Sequence, residues 1–283
     1  MVSASTQATP TSTPSAAASG PVILAVVTDF GNCDAGEGAT AAMVKSWQPV
    51  KVISAGDSAQ NGENGCTAYT KGVDPYYGDV VKAGKFLPTL GNHDYDNTDA
   101  GLARYRDYFA SVLPQNGDSQ GRYGVTMVSP GVYVWTLDAN LTGLELALQR
   151  DWLANSMAGV KAKDPKSWRI VVLHQPPYTT SDSCTNSVSY EWPYKDWGAD
   201  LVVSGHTHLY EDITVGGLHY LTAGRASDAD HGRRHYVGPS FGTGRNGALQ
   251  IDITPTTMTW RYYDTTTGKP YDNAAGSTVT KAA

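Results

Sequence analysis

Only three cysteines, Cys33, Cys66 and Cys184, occur in the 283 residues. That excludes a disulfide-stapled scaffold, and the odd number leaves at least one thiol unpaired within a monomer. Positive charge is also scarce. Lys and Arg total 21 against 27 Asp and Glu, a net charge of −6, so no broad basic surface awaits a polyanion and nucleic acid is not expected as a principal partner. Long apolar runs are missing too: the longest, VILAVV at 22–27, is far short of the roughly 20 residues that span a bilayer, so no membrane span is expected. Residues 1–20, MVSASTQATPTSTPSAAASG, lack any apolar periodicity from which a core is built, and they lack the basic start and apolar middle of a secretory signal. They read as a disordered lead-in of the kind that follows a removed signal, and a secreted or periplasmic location is expected. No repeat or linker-like stretch interrupts residues 21–265, which read as one domain followed by a polar, mobile tail over 266–283.

What is present is a series of β-branched runs with polar loops directly behind them: 22–28, 50–55, 86–90, 132–138, 169–174 and 201–205. Their hydrophobicity is near-continuous rather than alternating, which predicts strands covered on both faces. Helical patterns lie between them, at GEGATAAMVKSW (36–47) and where Leu141, Leu144, Leu148 and Trp152 keep the spacing of one helix face. This alternation predicts an α/β core. After Gly205 the character changes to short strands at 218–224, 248–254 and 257–264, which predict a second, mostly antiparallel sheet packed on the first.

In open α/β sheets, polar residues at the carboxyl ends of strands converge although distant in sequence. Five such ends carry ligand-type side chains: Asp29, then Asp57, then Asn92 with His93, then His174, then His206 with His208. Each alone has a structural explanation, such as a helix cap or a hydrogen-bonded turn. Together, oxygen and imidazole donors in this mixture suit iron, zinc or manganese, whereas a thiolate site asks for paired cysteines. Few donors per ion leave open positions, which suit catalysis. Two adjacent ions would clamp a phosphate and activate water between them.

TDFG, SAGDSAQ, LGNHDYD, VVLHQPPY and SGHTHLYE resemble, in that order, the signatures of the calcineurin-like metallophosphoesterases, most closely the small, single-domain purple acid phosphatase branch. The resemblance runs from about residue 22 to 264. It implies a four-layer α/β/β/α sandwich of two mixed sheets, a dinuclear metal centre holding Fe with Zn, Mn or a second Fe, and acid phosphatase-like hydrolysis of phosphate monoesters on a small substrate. A phosphodiesterase, or a non-catalytic binding module, are the alternatives on the same site. Carried over by position, Asp57 would bridge both ions, Asn92, His174 and His206 would complete the second, and Asp29 and His208 would hold the first. His93 would contact phosphate and help protonate the leaving group. Asp94 would orient that imidazole, or else serve a cap or turn.

The pattern breaks at the first ion. Purple acid phosphatases read GDxxY, but here Gln60 holds the Tyr position, and where other branches place a His two residues after the first Asp, here there is Gly31. Asp29, Asp57 and His208 would then hold the first ion with waters filling the remaining positions, or with Gln60 donating its amide oxygen, and the weaker grip favours a divalent ion there over ferric iron. Tyr69 would rescue the role, or is a surface aromatic in a loop. The resemblance also gathers the cysteines at one mouth, which predicts a Cys33–Cys66 disulfide in an oxidising compartment, with a thiolate ligand as the weaker alternative. On the substrate side, Arg225, His231, Arg233, Arg234 and His235 would form a positive rim, or are ordinary loop charge. Tyr178, Tyr190, Trp192, Tyr194 and Trp197 would stack on a leaving group, or merely pack a loop.

Overall fold

A computed structural model of the chain describes residues 20–31, 33, 35–59, 66, 68–95, 99–114, 116–181, 187–226, 246–271 and 276–282. In chain order the first half contains β1 (Val22–Val27), α1 (Ala35–Ser46), β2 (Lys51–Ser54), α2 (Tyr69–Gly72), α3 (Asp74–Lys82), β3 (Phe86–Leu87), α4 (Asn92–Tyr95) and α5 (Asp99–Phe109). There follow β4 (Gly124–Ser129), β5 (Val132–Thr136), α6 (Gly143–Lys163), β6 (Trp168–Val172), α7 (Tyr194–Trp197) and β7 (Leu201–Ser204). The last part is all strand: β8 (Tyr210–Val215), β9 (Leu218–Ala223), β10 (Gly247–Ile253), β11 (Thr257–Asp264), β12 (Lys269–Pro270) and β13 (Ser277–Thr280).

The strands form two mixed sheets. One runs β12-β11-β10-β1-β2-β3, with β13 also on β11, and the other runs β4-β5-β6-β7-β9-β8. The central strands β1–β2–β3 and β5–β6–β7 are parallel and joined by helical crossovers, and β9 also lies parallel to β7, reached by way of β8. Successive side chains on these strands point into different cores. Leu24 and Val26 of β1 meet Ile170 and Val172 of β6 between the sheets, while Ala25 and Val27 lie under α1, α3 and α5, and Val171 lies under α6 and α7. Both faces being covered accounts for the unbroken apolar runs, and the result is four layers.

Three expectations are corrected. The strands after Gly205 do not make a sheet of their own: β8 and β9 extend the second sheet at β7, whereas β10 and β11 cross back to β1, with Val22 opposite Ile253. β1 is apolar on both faces and needs a neighbour on each edge, and β10 supplies the one that β2 leaves open. The described residues after 266 are not a mobile tail, since β12 and β13 pair with β11, whose alternating burial would otherwise leave an open edge. Finally, Leu144 and Leu148 are exposed on α6, which buries Gln149, Leu153 and Met157 instead. The buried stripe is offset because Gln149 clasps the backbone of Asp138, accepting from its N–H at 2.8 Å and donating to its carbonyl at 3.0 Å.

Cys33, just past β1, and Cys66, just before α2, form a disulfide with Cα atoms 5.9 Å apart, as expected, while Cys184 lies outside the described residues. At the other end of the sandwich Lys281 follows β13, reaches Asp200 at 2.7 Å and sits 4.2 Å from the centre of the Trp168 ring. It fastens the last strand of one sheet to the chain entering β6 and β7 of the other. Lys281→Ala is expected to lower stability by about 1–2 kcal/mol, read as a shift of the urea midpoint at unchanged slope. Thiol titration of the denatured chain is expected to give one free thiol before reduction and three after. By the loop-closure argument, breaking the 33-residue link removes about 3–4 kcal/mol.

Candidate metal centre

The described candidate residues all sit where a strand of one sheet or the other runs out. Asp29 follows β1, Asp57 follows β2, Asn92 and His93 open α4 after β3, His174 follows β6, and His206 and His208 follow β7. Asp29, Asp57, His206 and His208 have positive φ, at 53°, 52°, 71° and 57°, four of the seven such non-glycine residues among those described. Left-handed backbone is strained for most side chains but tolerated by Asp and His, and here it turns each chain sharply as it leaves its sheet. The turns crowd together. A Cβ at Gly56 would strike the His174 ring, one at Gly91 would strike Asp57, and one at Gly205 would strike Thr28 and Asp29. The glycine before Asp57, Asn92 and His206 is therefore the space into which a group from a neighbouring strand end fits.

Asp57, His174 and His206 each offer one atom within 4.8 Å of the others, a group able to hold a metal ion. His174 Nδ1 lies 2.8 Å from the carbonyl of Ala55. A carbonyl only accepts, so Nδ1 carries the proton and Nε2 is left to face the site. That Nε2 is buried without a hydrogen-bond partner, 3.0 Å from Asp57 Oδ2 and 3.9 Å from Asp29 Oδ1, and Asn92 Oδ1 is likewise buried and unpaired. Acceptors gathered in this way call for a cation among them, whether a proton or a metal. The donor set fits a borderline metal ion. Beside it, His208 Nε2 approaches Asp29 Oδ1 at 3.2 Å, while Asp29 Oδ2 accepts from the Thr28 hydroxyl at 2.6 Å and the His206 N–H at 2.9 Å.

The electrostatics agree. Burial opposes charge on Asp29, yet His208 and His174 hold its carboxyl well below the usual carboxylate range. Burial also disfavours a charged His174, but Asp57 and then Asp29 outweigh it and push the ring up to about 10, a demand for positive charge at Nε2. Burial, then His174, lowers His206 to about 4, so its imidazole is neutral with a lone pair to give.

His93 lies over the same carboxylate: its N–H donates to Asp57 Oδ1 at 2.9 Å, Nε2 is 3.9 Å from Oδ2, and its side chain is 35% exposed at the mouth. Asp94 does not orient it. The Asp94 carboxylate accepts from the N–H groups of Asp57 (2.9 Å), Ala59 (3.2 Å) and Gly91 (2.8 Å) and from the Tyr69 hydroxyl (3.0 Å), so it locks the Asp57 loop to Gly91. Burial, reinforced by Asp57, pushes Asp94 up to about 7. Tyr69 is correspondingly no surface aromatic but a buried residue opening α2, and its hydroxyl is directed at Asp94. Gly31 packs on the backbone of Ser58 and Ala59, leaving no room for a side chain, and Gln60 lies outside the described residues. So do His231, Arg233, Arg234 and His235, whereas Arg225 is buried beside its bridge to Asn246. Tyr190, Trp192, Tyr194 and Trp197 pack on one another at tilted and edge-on angles, and Tyr178 meets Tyr220 edge to face, within the core behind the second sheet, so they line that core and not a substrate site.

Sequence reasoning passed over Thr28, Asp138, Asn140, Gln175 and Glu211. The Glu211 carboxylate accepts from Thr179 and Thr180 and so holds the segment after His174. The signal was available for Asn140 and Gln175, which also stand at strand ends. They carry amides, which are common in turns and drew no attention.

The model of the calcineurin-like phosphoesterase family matches residues 24–210, the span from β1 to the start of β8 that holds every candidate residue from Asp29 to His208. GAP50, the anchor in the inner membrane complex of Plasmodium, is similar in structure with a TM-score of 0.66 at 18% identity, over 92% of this chain and 88% of that one. PhoD is similar with a TM-score of 0.53 at 11% identity, over 93% of this chain and 69% of that one. At such identities these likenesses speak for the fold alone. Among curated proteins no sequence matches significantly. The family uses a dinuclear metal site, and Asp57, His174 and His206 form a possible metal-ligand group in this chain. From the family match over most of the chain and the two-sheet sandwich beneath it, the chain belongs to the calcineurin-like phosphoesterases.

Proposed function

We propose that the chain is a metal-dependent phosphomonoesterase of the acid phosphatase type. The observation that carries this is the convergence of Asp57, His174 and His206 within 4.8 Å, with the bare Nε2 of His174 among them and His93 beside Asp57 at the mouth. Asp57 would bridge two ions, Asn92, His174 and His206 would complete one site, and Asp29 and His208 the other. Bound ions would polarise the phosphoryl group and make water nucleophilic near neutral pH. His93, half-exposed and held by its own N–H on Asp57, would meet the phosphate and give a proton to the leaving oxygen. Asp94 would hold the Asp57 loop in register throughout. Iron with zinc, manganese or iron suits the donors, with a divalent ion in the Asp29–His208 site, which has lost the Tyr and His ligands of its relatives. The disulfide suits a secreted or periplasmic protein.

Two observations favour a second reading, a binding module without catalysis: Gly31 has no room for a ligand, and GAP50 is described as an anchor. Turnover decides between them. The metal-loaded chain is expected to hydrolyse an aryl phosphate faster than the corresponding diester, and a chelator is expected to abolish the activity. A preference for the diester would make it a phosphodiesterase, and no turnover with metal bound would favour the binding module. His93→Ala is expected to lower kcat by about 10²- to 10⁴-fold, more severely for alkyl than for nitrophenyl esters, whose leaving group needs less protonation. The iron-loaded protein is expected to show no intense visible band, because no tyrosinate is available at position 60.

A further inference from the structure

Asp57 and Asn92 belong to loops of the first sheet, His174 and His206 to loops of the second. Any ion they share spans the gap between the sheets, so its ligand spacing depends on what ties the two rims together. One tie is a chain of amides. Asn140, just past β5, donates through Nδ2 to the carbonyl of Gly91 at 3.3 Å and to Asp138 Oδ1 at 3.0 Å, and Asp138 Oδ2 accepts from the hydroxyl of Tyr95. Gln175, the residue after His174, donates through Nε2 to Asn140 Oδ1 at 3.0 Å. The links run in sequence from the residue beside His174, through Asn140, to the residue before Asn92.

The orientation of both amides follows from their partners. The Gly91 carbonyl can only accept, and Asp138 Oδ1 already accepts the Asn140 backbone N–H, so the amino group of Asn140 faces them and its oxygen faces Gln175. Gln175 must then present its own amino group, which leaves Oε1 buried and without a partner. Asn140 and Gln175 are both half-buried, at the mouth rather than in the core. A buried acceptor left open at the rim of a metal centre is a place for a water or a ligand-borne proton.

We infer that Asn140 and Gln175 are positioning residues, which set the distance between the His174 and Asn92 loops and so the grip of the centre on its ion. The inference rests on the metal-centre reading of the proposed function. It does not require turnover. Asn140→Ala and Gln175→Ala, made in the full chain and titrated with zinc or manganese against a chromogenic chelator, are each expected to bind the ion about tenfold more weakly than the parent, the scale for groups that orient ligands. Because they act through one hydrogen bond, the double variant is expected to lose no more than the worse single. On an aryl phosphate kcat is expected to fall in parallel, with KM unchanged within about twofold. Parent-like metal affinity in Gln175→Ala, with its thermal midpoint intact, would overturn the inference, as would additive losses in the double variant. A parent that binds the ion but hydrolyses nothing defeats the phosphatase proposal alone, and the affinity arm still decides this one.

Discussion

Two rims of strand ends approach until carboxylates from one sheet touch imidazoles from the other, and most of the local structure follows from allowing that approach. Asp29 and Asp57 bring negative charge into a place where water has been excluded, and His174, His206 and His208 face them from across the gap. Anions so buried are tolerable only with positive charge or hydrogen-bond donors close by. The site provides donors on its protein side, from Thr28, the His206 N–H and the His93 N–H, while the His174 and His208 rings approach the same carboxylates from the second sheet. Asp57, His174 and His206 there form a group able to hold a cation.

Steric and conformational details serve the same end. The glycines before Asp57, Asn92 and His206 clear the space through which the facing groups pass, and the left-handed residues turn the ligands out of their strands. Such strain is held in place by the sheets behind it and by Asp94, which gathers three backbone N–H groups and one hydroxyl onto a single buried carboxylate. The Cys33–Cys66 disulfide, with Cys66 fully buried, joins the loops after β1 and β2. The first sheet's share of the site is thus clamped from two sides, while the second sheet's share is steadied by Glu211 and by the amides at Asn140 and Gln175.

Legibility in the sequence followed the kind of information each feature depends on. Strands such as β1 and β6 were readable because covering both faces imposes a continuous apolar run, and the ligand-type residues were readable because they stand directly behind those runs. The face of α6 was misread, since Leu144 and Leu148 keep helical spacing while a polar Gln149 occupies the buried stripe for the sake of Asp138. β13 was taken for tail because an edge strand with one face toward solvent is polar at alternate positions, and its Ser-Thr-Val-Thr has no apolar run to show.

The chain's own order of residues determined the α/β class, the positions of the strand ends and which side chains stand there, because these rest on local periodicity and on chemistry that each residue carries with it. Tertiary structure alone decided which sheet β10 and β13 joined, that Asp94 and Tyr69 brace the Asp57 loop, and that Asn140 links Gly91 to Gln175. Those outcomes depend on hydrogen bonds between segments far apart along the chain, where direction and distance matter and residue type leaves several partners open.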